Sequence, residues 1–264
     1  MIIGNKYYDT KKHTYLMGIL NVTPDSFSDG GNYSTIDEAL FRVDEMVNEG
    51  ADIIDIGGES TRPGYEPVSS EVEMERVIPV IEQIKKRFDV PISFDTNKSQ
   101  VAIAGIKAGV DMINDIWGLQ YDNKMAGAIA DGNVACCIMH NRKEVTYDSF
   151  FEEVIVDLKK SLERALDAGI AKDKIILDPG VGFAKSYDQN MEVIRRIKEL
   201  GILECPILLG ASRKSLVGIT LDVPVNERLN GTLALSAYAV MQGCSFLRVH
   251  DIRANKEVVK MLEV

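Results

Sequence analysis

The sequence predicts an α/β fold, a single-domain (β/α)8 barrel spanning residues 1–264 with a short N-terminal hairpin. Three observations support this prediction. The chain has 264 residues, close to the roughly 250 typical of such a barrel. Eight short apolar runs alternate with amphipathic helical patterns, and the runs are near-continuous, as parallel strands buried on both faces require. Each run also ends in, or beside, a polar side chain.

The hairpin is predicted between Ile2 and Lys12, with its turn near Gly4-Asn5 or Asp9-Thr10. In that position it could cover the open bottom of the barrel. The eight barrel strands follow in chain order, with predicted ranges Tyr15–Leu20, Ile53–Ile56, Ile92–Phe94, Met112–Ile113, Val134–Met139, Ile175–Leu177, Ile207–Leu209 and Phe246–Val249.

Apolar stripes at the 3.6-residue period predict the helices between these strands. The first stripe comprises Ile36, Ala39, Leu40, Val43, Met46 and Val47, and the fifth comprises Val154, Ile155, Leu158, Leu162, Ala165 and Leu166. Gly50, Gly109 and Gly169 are placed to end three of the helices. Pro79 predicts that the second helix is kinked or split, and the segment 125–131 is a short helix candidate.

Composition argues against several classes of protein. The formal net charge is -10 at pH 7, which disfavours a broad nucleic-acid or anionic-membrane surface. No apolar stretch approaches the ~18 residues that cross a bilayer, and no signal peptide is visible. Cys136, Cys137, Cys205 and Cys244 form no CxxC pair and are interpreted as buried free thiols. Free thiols predict a reducing, cytoplasmic location.

The polar strand ends carry the functional prediction. In a (β/α)8 barrel the carboxyl ends of all strands share one rim, where catalytic residues gather. Residues scattered over the sequence would therefore face one pocket. They are Asn21, Asp55, Asp95, Asn114, His140, Asp178, Ser212, Arg213, Arg248 and His250.

Two long loops follow the first two strands. The first, residues 21–31, is either an ordinary surface turn or a lid that brings Phe27 and Asp29 over a substrate. The second contains Thr61, Arg62 and Pro63, and is either an ordinary turn or an oxyanion-binding loop. Neither a Walker loop nor a dinucleotide-binding glycine motif has the required spacing.

Asp95, Asn114 and Asp178 could each cap a helix or form a turn. Together on one rim, they offer the donors and acceptors that read the edge of an amino-pyrimidinone ring. Lys214 either donates to such a ring or is a solvated lysine at a helix start. Arg248 and His250 alternate onto the same side of the last strand, and with Arg62 they could bind a phosphorylated ligand. A metal role for His250 is disfavoured because the three histidines lack ligand spacing.

These segments resemble the dihydropteroate synthase family over nearly the whole chain. The first loop and the Asp178-Pro179-Gly180-Val181-Gly182-Phe183 motif are specific to that family. The other matching segments are Gly57 to Gly64, Phe94-Asp95-Thr96, Asn114-Asp115, Met139-His140-Asn141-Arg142, Ser212-Arg213-Lys214-Ser215 and Arg248-Val249-His250.

The resemblance implies a Mg²⁺-dependent transferase that condenses 6-hydroxymethyl-7,8-dihydropterin diphosphate with p-aminobenzoate to give dihydropteroate and pyrophosphate in folate biosynthesis. It implies a homodimer, with no nucleic-acid or membrane partner. The residues that it implies are Asp95, Asn114, Ile116, Met139, Asp178 and Lys214 for the pterin; Asn21 for Mg²⁺; Thr61, Arg62, Arg248 and His250 for the diphosphate; Phe27, Pro63, Phe183, Lys214 and Ser215 for p-aminobenzoate; and Asp29, Asp95, Asp178, Lys214 and Arg248 for catalysis.

Two alternatives share the barrel. A folate-to-corrinoid methyltransferase would need no diphosphate pocket, so Arg62, Arg248 and the long first loop argue against it. A non-catalytic pterin-binding protein would tolerate loss of Asn21, Asp29 and Lys214. Ala184-Lys185-Ser186 after Phe183 and Gln189-Asn190 depart from the family pattern at positions interpreted as variable, and these departures put no catalytic role in doubt.

Overall fold

The computed structural model describes residues 1–22, 32–59 and 68–263, and side chains in the second range from residue 36 onward. The strands are β1 Ile2–Ile3, β2 Lys6–Tyr7, β3 Tyr15–Asn21, β4 Ile53–Gly57, β5 Ile92–Asp95, β6 Met112–Asp115, β7 Ala135–Met139, β8 Ile175–Asp178, β9 Leu208–Leu209 and β10 Phe246–Val249. The α-helices are α1 Asn32–Glu49, α2 Ser70–Arg87, α3 Ser99–Ala108, α4 Met125–Gly132, α5 Phe150–Asp167, α6 Tyr187–Arg195, α7 Ser215–Leu221, α8 Leu229–Met241 and α9 Ile252–Leu262.

Strands β3 to β10 form one parallel sheet in the order β8-β7-β6-β5-β4-β3-β10-β9. A parallel bridge between Leu177 and Ile207 joins the two outer strands and brings the sheet close to a full ring. The amide of Leu177 donates to Pro206 O at 2.9 Å across the same junction. The predicted (β/α)8 barrel is therefore confirmed.

The N-terminal hairpin lies under the barrel. Strands β1 and β2 pair antiparallel around the turn at Gly4, whose φ is +60°. Ile3 and Tyr8 are buried in a cluster with Met17, Phe246 and other side chains from inside the barrel. The predicted hairpin is therefore confirmed, with its turn at Gly4-Asn5, and its apolar side chains cover the barrel bottom.

A second apolar core lies between the sheet and the surrounding helices. The predicted stripes supply it, because Val43 and Met46 of α1 and Val154 and Leu158 of α5 are buried there. Gly50, Gly109 and Gly169 follow their helices with φ of +99°, +103° and +95°, as predicted.

Helix α2 runs without interruption from Ser70 to Arg87 with Pro79 inside it. Of the two predicted outcomes at Pro79, the split is therefore wrong, and the kink stays a prediction. A proline removes one helical hydrogen bond, but Val77, Val80 and Ile81 are buried on either side of it. Their packing against the sheet keeps the two halves in one helix.

Several strands extend farther than predicted. Asn21, Asp95 and Asp178 are the last residues of β3, β5 and β8, because their backbones continue the ladder although their side chains are polar. Asp55 lies inside β4, two residues before that strand stops, and Asn114 and Arg248 each lie one residue before the end of their strands.

The four cysteines are buried and free, as predicted. In the described residues, no helix combines the length and the apolar character that a membrane crossing requires.

Candidate active site

A network of charged and polar groups lies inside the barrel. Arg248 on β10 donates from Nε to Asp55 Oδ2 at 2.6 Å and from Nη2 to Asp95 Oδ2 at 2.8 Å. Asp55 also accepts from Ser93 Oγ at 2.6 Å and from Asn114 Nδ2 at 3.3 Å. The register explains these contacts, since Asp55 lies beside Ser93 on β5, and Asp95 lies beside Asn114 on β6. Two carboxylates therefore share one guanidinium group.

Burial controls the ionisation of this network. It raises the pKa of Asp95 to about 7, although the nearby Arg248 charge acts in the opposite direction. Burial also disfavours the charge on Arg248, yet its pKa lies above the ordinary value because Asp55 and Asp95 stabilise the cation. Such a network favours a ligand that brings N–H donors or positive charge.

Asp178 ends β8 on the same rim. Its Oδ1 accepts the backbone N–H of Gly180 at 2.7 Å. A β-carbon on Gly210 would lie 3.4 Å from Asp178 Oδ2, so the glycine leaves that oxygen room. Burial raises the pKa of Asp178, and the strongest opposing influence is the charge of Lys214.

Lys214 lies above the turn that follows β8. Its Nζ is 4.6 Å from the centre of the Phe183 ring and donates to Val181 O. Burial lowers the pKa of Lys214 to about 8, while the charges of Asp178 and Asp95 act to raise it. A lysine with this pKa carries its charge at neutral pH, beside the rim carboxylates.

The Ser212–Ser215 turn separates two cations. Arg213 has a φ of +54°, and its guanidinium pairs with Asp251, with Nε to Oδ2 at 3.0 Å. Lys214 follows in an extended conformation and Ser215 begins α7 as an exposed residue. The left-handed residue turns the chain so that Arg213 pairs outside the carboxylate network while Lys214 joins it.

The structure describes two of the predicted diphosphate residues, Arg248 and His250, and gives their side-chain partners. Arg248 was expected beside His250 in a cationic cluster, but its guanidinium is engaged by Asp55 and Asp95. The His250 ring contacts Ser212, with Nδ1 and Oγ 2.9 Å apart. The two side chains therefore have different partners, and their contact with a diphosphate stays a prediction.

Asn21 is exposed at the end of β3. A β-carbon on Gly57 would lie 3.9 Å from its Oδ1 and 3.6 Å from Asp95 Cβ. Among the described residues, no group of three His, Cys, Asp or Glu side chains could hold a metal. The amide oxygen of Asn21 nevertheless suits a Mg²⁺ that takes its other ligands from water and a phosphorylated substrate.

Apolar predicted residues line the same ends of the strands. Ile116 and Met139 are buried just after β6 and at the end of β7, and Phe183 is partly buried in the turn after β8. Five predicted residues lie outside the described ranges and have no structural account, namely Phe27, Asp29, Thr61, Arg62 and Pro63.

The sequence reasoning gave no specific role to three residues of this region: Asp55 and His140, predicted only as polar strand ends, and Lys185, interpreted as variable. Asp55 received no role, although a fully buried carboxylate in an apolar strand signals a paired charge. His140 and Lys185 contact each other, with Nδ1 and Nζ 2.8 Å apart. No sequence signal links them, because the contact joins the ends of two different strands.

The chain matches the family model described as pterin binding enzyme over residues 17–250. It is 52% identical to a dihydropteroate synthase of Clostridium beijerinckii, over 100% of this chain and 98% of that protein. It is 49% identical to a dihydropteroate synthase of Bacillus subtilis, over 96% of this chain and 89% of that protein.

Solved structures agree with these sequence matches. A dihydropteroate synthase of Clostridium difficile, crystallised in the presence of pteroic acid, superposes with a TM-score of 0.95 at 49% identity, covering 97% of this chain and 98% of that one. A Xanthomonas albilineans dihydropteroate synthase with 4-aminobenzoic acid gives 0.90 at 39% identity, covering 94% and 92%. The chain therefore belongs to the dihydropteroate synthase family, the pterin-binding enzymes of folate biosynthesis.

Proposed function

We propose that the rim site binds 6-hydroxymethyl-7,8-dihydropterin diphosphate and joins its methylene carbon to p-aminobenzoate, releasing pyrophosphate. The observation that carries the proposal is the network in which Arg248 joins Asp55 and Asp95. The charges of Asp95, Asp178 and Arg248 all act on Lys214, which supports one common site.

The acceptors of this site suit the donor edge of a pterin. Among the described residues, Asp95 accepts hydrogen bonds only through Oδ2, and Asp178 only through Oδ1. Asp95 Oδ1 and Asp178 Oδ2 are the acceptors that we assign to the ring N–H groups. Asn114 and Lys214 supply further polar contacts, and Ile116 and Met139 contact the faces of the ring.

The p-aminobenzoate slot is assigned to the mouth of the same site. Phe183 lies under Lys214 Nζ, and Ser215 is exposed at the start of α7. We place the aromatic ring of p-aminobenzoate against Phe183, with Phe27 and Pro63 completing the slot. The structure of the Xanthomonas albilineans relative with 4-aminobenzoic acid supports this ligand class.

Electrostatic stabilisation accounts for the chemistry. An arylamine is a weak nucleophile, so the site gains most by helping pyrophosphate leave with the electrons of its C–O bond. The resulting pterin methylene cation is stabilised by Asp95 and Asp178, and by Asp29 from the first loop. The arylamine nitrogen then forms the new C–N bond and loses a proton, so that no covalent enzyme intermediate is needed.

The leaving group needs positive charge around it. Thr61, Arg62, Arg248 and His250 are assigned to its oxygens. Bound Mg²⁺ would supply further neutralisation of the diphosphate, and Asn21 would hold it through Oδ1. Asn21 is an exposed oxygen ligand at the strand end next to Gly57, which is consistent with a metal that arrives with the substrate.

A homodimer is proposed from the character of α8. That helix is apolar around its circumference, whereas a surface helix normally has one polar face. Met241 of α8 and Ile219 and Leu221 of α7 are exposed, and a second copy would cover them. Sedimentation should therefore give twice the monomer mass.

The cytoplasmic location and the single-domain organisation stay predictions. The free thiols support the cytoplasmic location.

The test is direct assay. The protein is incubated with the pterin diphosphate, Mg²⁺ and labelled p-aminobenzoate, and dihydropteroate and pyrophosphate should form in equal amounts. Pterin binding without product would favour the non-catalytic alternative. Methyl transfer from a folate to a corrinoid, with no condensation, would favour the methyltransferase.

A further inference from the structure

Lys185 lies next to the candidate site but has no role in the proposed reaction as described above. Its Nζ lies inside the turn that follows β8, 3.1 Å from Gly180 O, 3.1 Å from Phe183 O and 2.8 Å from His140 Nδ1. An ammonium group has three N–H donors and no acceptor. The three acceptors therefore match the protonated lysine.

His140 is held in the form that accepts this bond. Its Nε2 faces Asp157 Oδ2 at 3.5 Å, and Asp157 is itself held by Arg142 Nε at 2.6 Å. Burial lowers the pKa of His140 to about 4, so the ring is neutral at neutral pH. With its proton on Nε2, toward Asp157, the ring presents Nδ1 to Lys185 as an acceptor.

The Gly180 residue connects Lys185 to Asp178 by hydrogen bonds. Gly180 O accepts from Lys185, while the N–H of the same glycine donates to Asp178 Oδ1. Gly180 O also accepts the N–H of Phe183 at 3.1 Å. Lys185 thus holds the turn that aims an N–H at Asp178 and carries the Phe183 ring under Lys214 Nζ.

The other side-chain contacts of this turn are made to Ala184 and Gly182, and not to the carbonyl groups of Gly180 and Phe183. Tyr147 donates to Ala184 O at 2.8 Å, and Asn190 Oδ1 accepts from Gly182 N at 2.6 Å. Among the described side chains, the bonds to Gly180 O and Phe183 O come from Lys185 alone. Removing the lysine would therefore take away the side-chain hydrogen bond from both carbonyl groups and leave Gly180 O with the N–H of Phe183.

Lys185 also acts on Asp178 by charge. The charges that lower the pKa of Asp178 come from Lys214, Arg248 and Lys185, and the thiols of Cys137 and Cys244 face the same carboxylate. Burial lowers the pKa of Lys185 to about 7, against the opposing effect of Asp178 and with Lys214, Arg142 and Asp157 also nearby. Below neutrality Lys185 is therefore charged.

We propose that Lys185, oriented by His140, is a positioning residue that fixes the turn from Asp178 to Phe183 and so places both residues for substrate binding. The proposal rests on the proposed function, because it assigns Asp178 to the pterin and Phe183 to p-aminobenzoate. It assigns a role to Lys185, which was interpreted from the sequence only as a variable position.

The experiment compares K185M, which removes the charge and the donors, with K185Q, which removes the charge and keeps two N–H donors on a shorter side chain. K159M on the exposed face of α5 is the matched control. Pterin affinity is measured by calorimetry from pH 5 to 9, with kcat and KM for both substrates. Circular dichroism and the thermal midpoint establish that each variant is folded.

We expect kcat/KM of K185M to fall about 10- to 100-fold, the loss typical when a positioning contact is removed. The loss should appear in the KM of both substrates. The acid limb of the pterin-binding profile should move to higher pH in K185M and in K185Q, because Asp178 has lost a nearby cation. K185Q should recover part of kcat/KM, and K159M should match the wild type.

Unchanged kinetics in folded K185M, or an acid limb that stays in place in both variants, would overturn the proposal. If K185M does not fold, the pH profile of K185Q decides by the same criterion. The wild-type assay distinguishes this failure from failure of the proposed function, since a wild type without condensation activity refutes the function and not the position of Lys185.

Discussion

Arg248 takes its partners from two neighbouring strands, and this arrangement changes what its loss should do. Its Nε and Nη2 bond to Asp55 and Asp95, so removal of the guanidinium leaves two buried carboxylates without a cation. Arg248, which the sequence predicts as a diphosphate ligand, therefore also stabilises the carboxylates of the proposed pterin site.

Replacing Arg248 by methionine should destabilise the protein by about 3–5 kcal/mol, the cost of leaving a buried ion pair half broken. Pterin diphosphate and free hydroxymethyl pterin should both bind more weakly, because Asp95 is disturbed for both. Denaturant unfolding and calorimetry measure the two effects.

The double variant R248M/D55N serves as the control, since it removes one of the two unpaired carboxylates and should regain part of the stability. Selective loss of the diphosphate ligand, with stability unchanged, would mean that Arg248 acts mainly on the leaving group.

Asp95 should make pterin binding depend on pH. Its pKa in the free protein is raised to about 7, and the proposed contact needs the carboxylate. Below pH 7 the carboxyl group must lose a proton on binding, so affinity should fall roughly tenfold per pH unit as the pH decreases. Above pH 7 the affinity should level off with respect to this group.

The D95N variant should bind pterin weakly and lose the part of the pH dependence that comes from Asp95, because an amide has one acceptor end and does not titrate. Titration calorimetry across pH 5 to 9 provides the measurement. Wild-type affinity in D95N would refute the assignment of Asp95.

At the scale of the element, the turns after the strands decide where polar side chains point. Gly180 has a φ of +71°, and a β-carbon there would lie 2.0 Å from His140 O. The turn after β8 thus combines a left-handed residue with a close backbone approach. Both features explain why the motif has glycine where the Asp178 carboxylate receives its N–H.

Gly180→Ala should cost more stability than Gly169→Ala. Both glycines have positive φ, which costs an alanine roughly 1–2 kcal/mol, but a β-carbon on Gly169 meets nothing within 4 Å. G180A should also reduce pterin affinity, because the turn must move away from His140. Equal unfolding free energies in the two variants would show that the contact with His140 O has no effect.

At the scale of the whole molecule, the two ends of the barrel have separate tasks. The hairpin side chains Ile3 and Tyr8 fill the bottom, while the Asp55, Asp95 and Arg248 network lies toward the other end. Stability and binding should therefore respond independently to changes at the two ends.

Ile3→Ala should lower the unfolding free energy by about 2–5 kcal/mol, as buried isoleucine truncations do, because Ile3 is fully buried. Ile2→Ala is the matched control, with the neighbouring side chain 59% exposed, and should change stability by less than about 0.5 kcal/mol. Both variants should keep the wild-type KM for pterin diphosphate. A raised KM in folded I3A would mean that the ends are coupled.

The sequence alone determined the barrel, the hairpin and the gathering of Asp95, Asn114 and Asp178 at one rim. These follow from local periodicity and from the rule that parallel strands share one carboxyl edge. Strand ends were less predictable, because the backbone ladder continues through polar residues such as Asp178.

Only the tertiary structure decided which charges meet. Arg248 on β10 joins Asp55 and Asp95 on β4 and β5, and Lys185 in the turn after β8 joins His140 after β7. Each contact links residues far apart in sequence. The periodicity of apolar residues in the sequence predicts which face of a strand or helix a residue occupies. The distance and direction to a partner depend on the register, the closure of the sheet and the turn conformations, and these arise only when all eight strands are assembled.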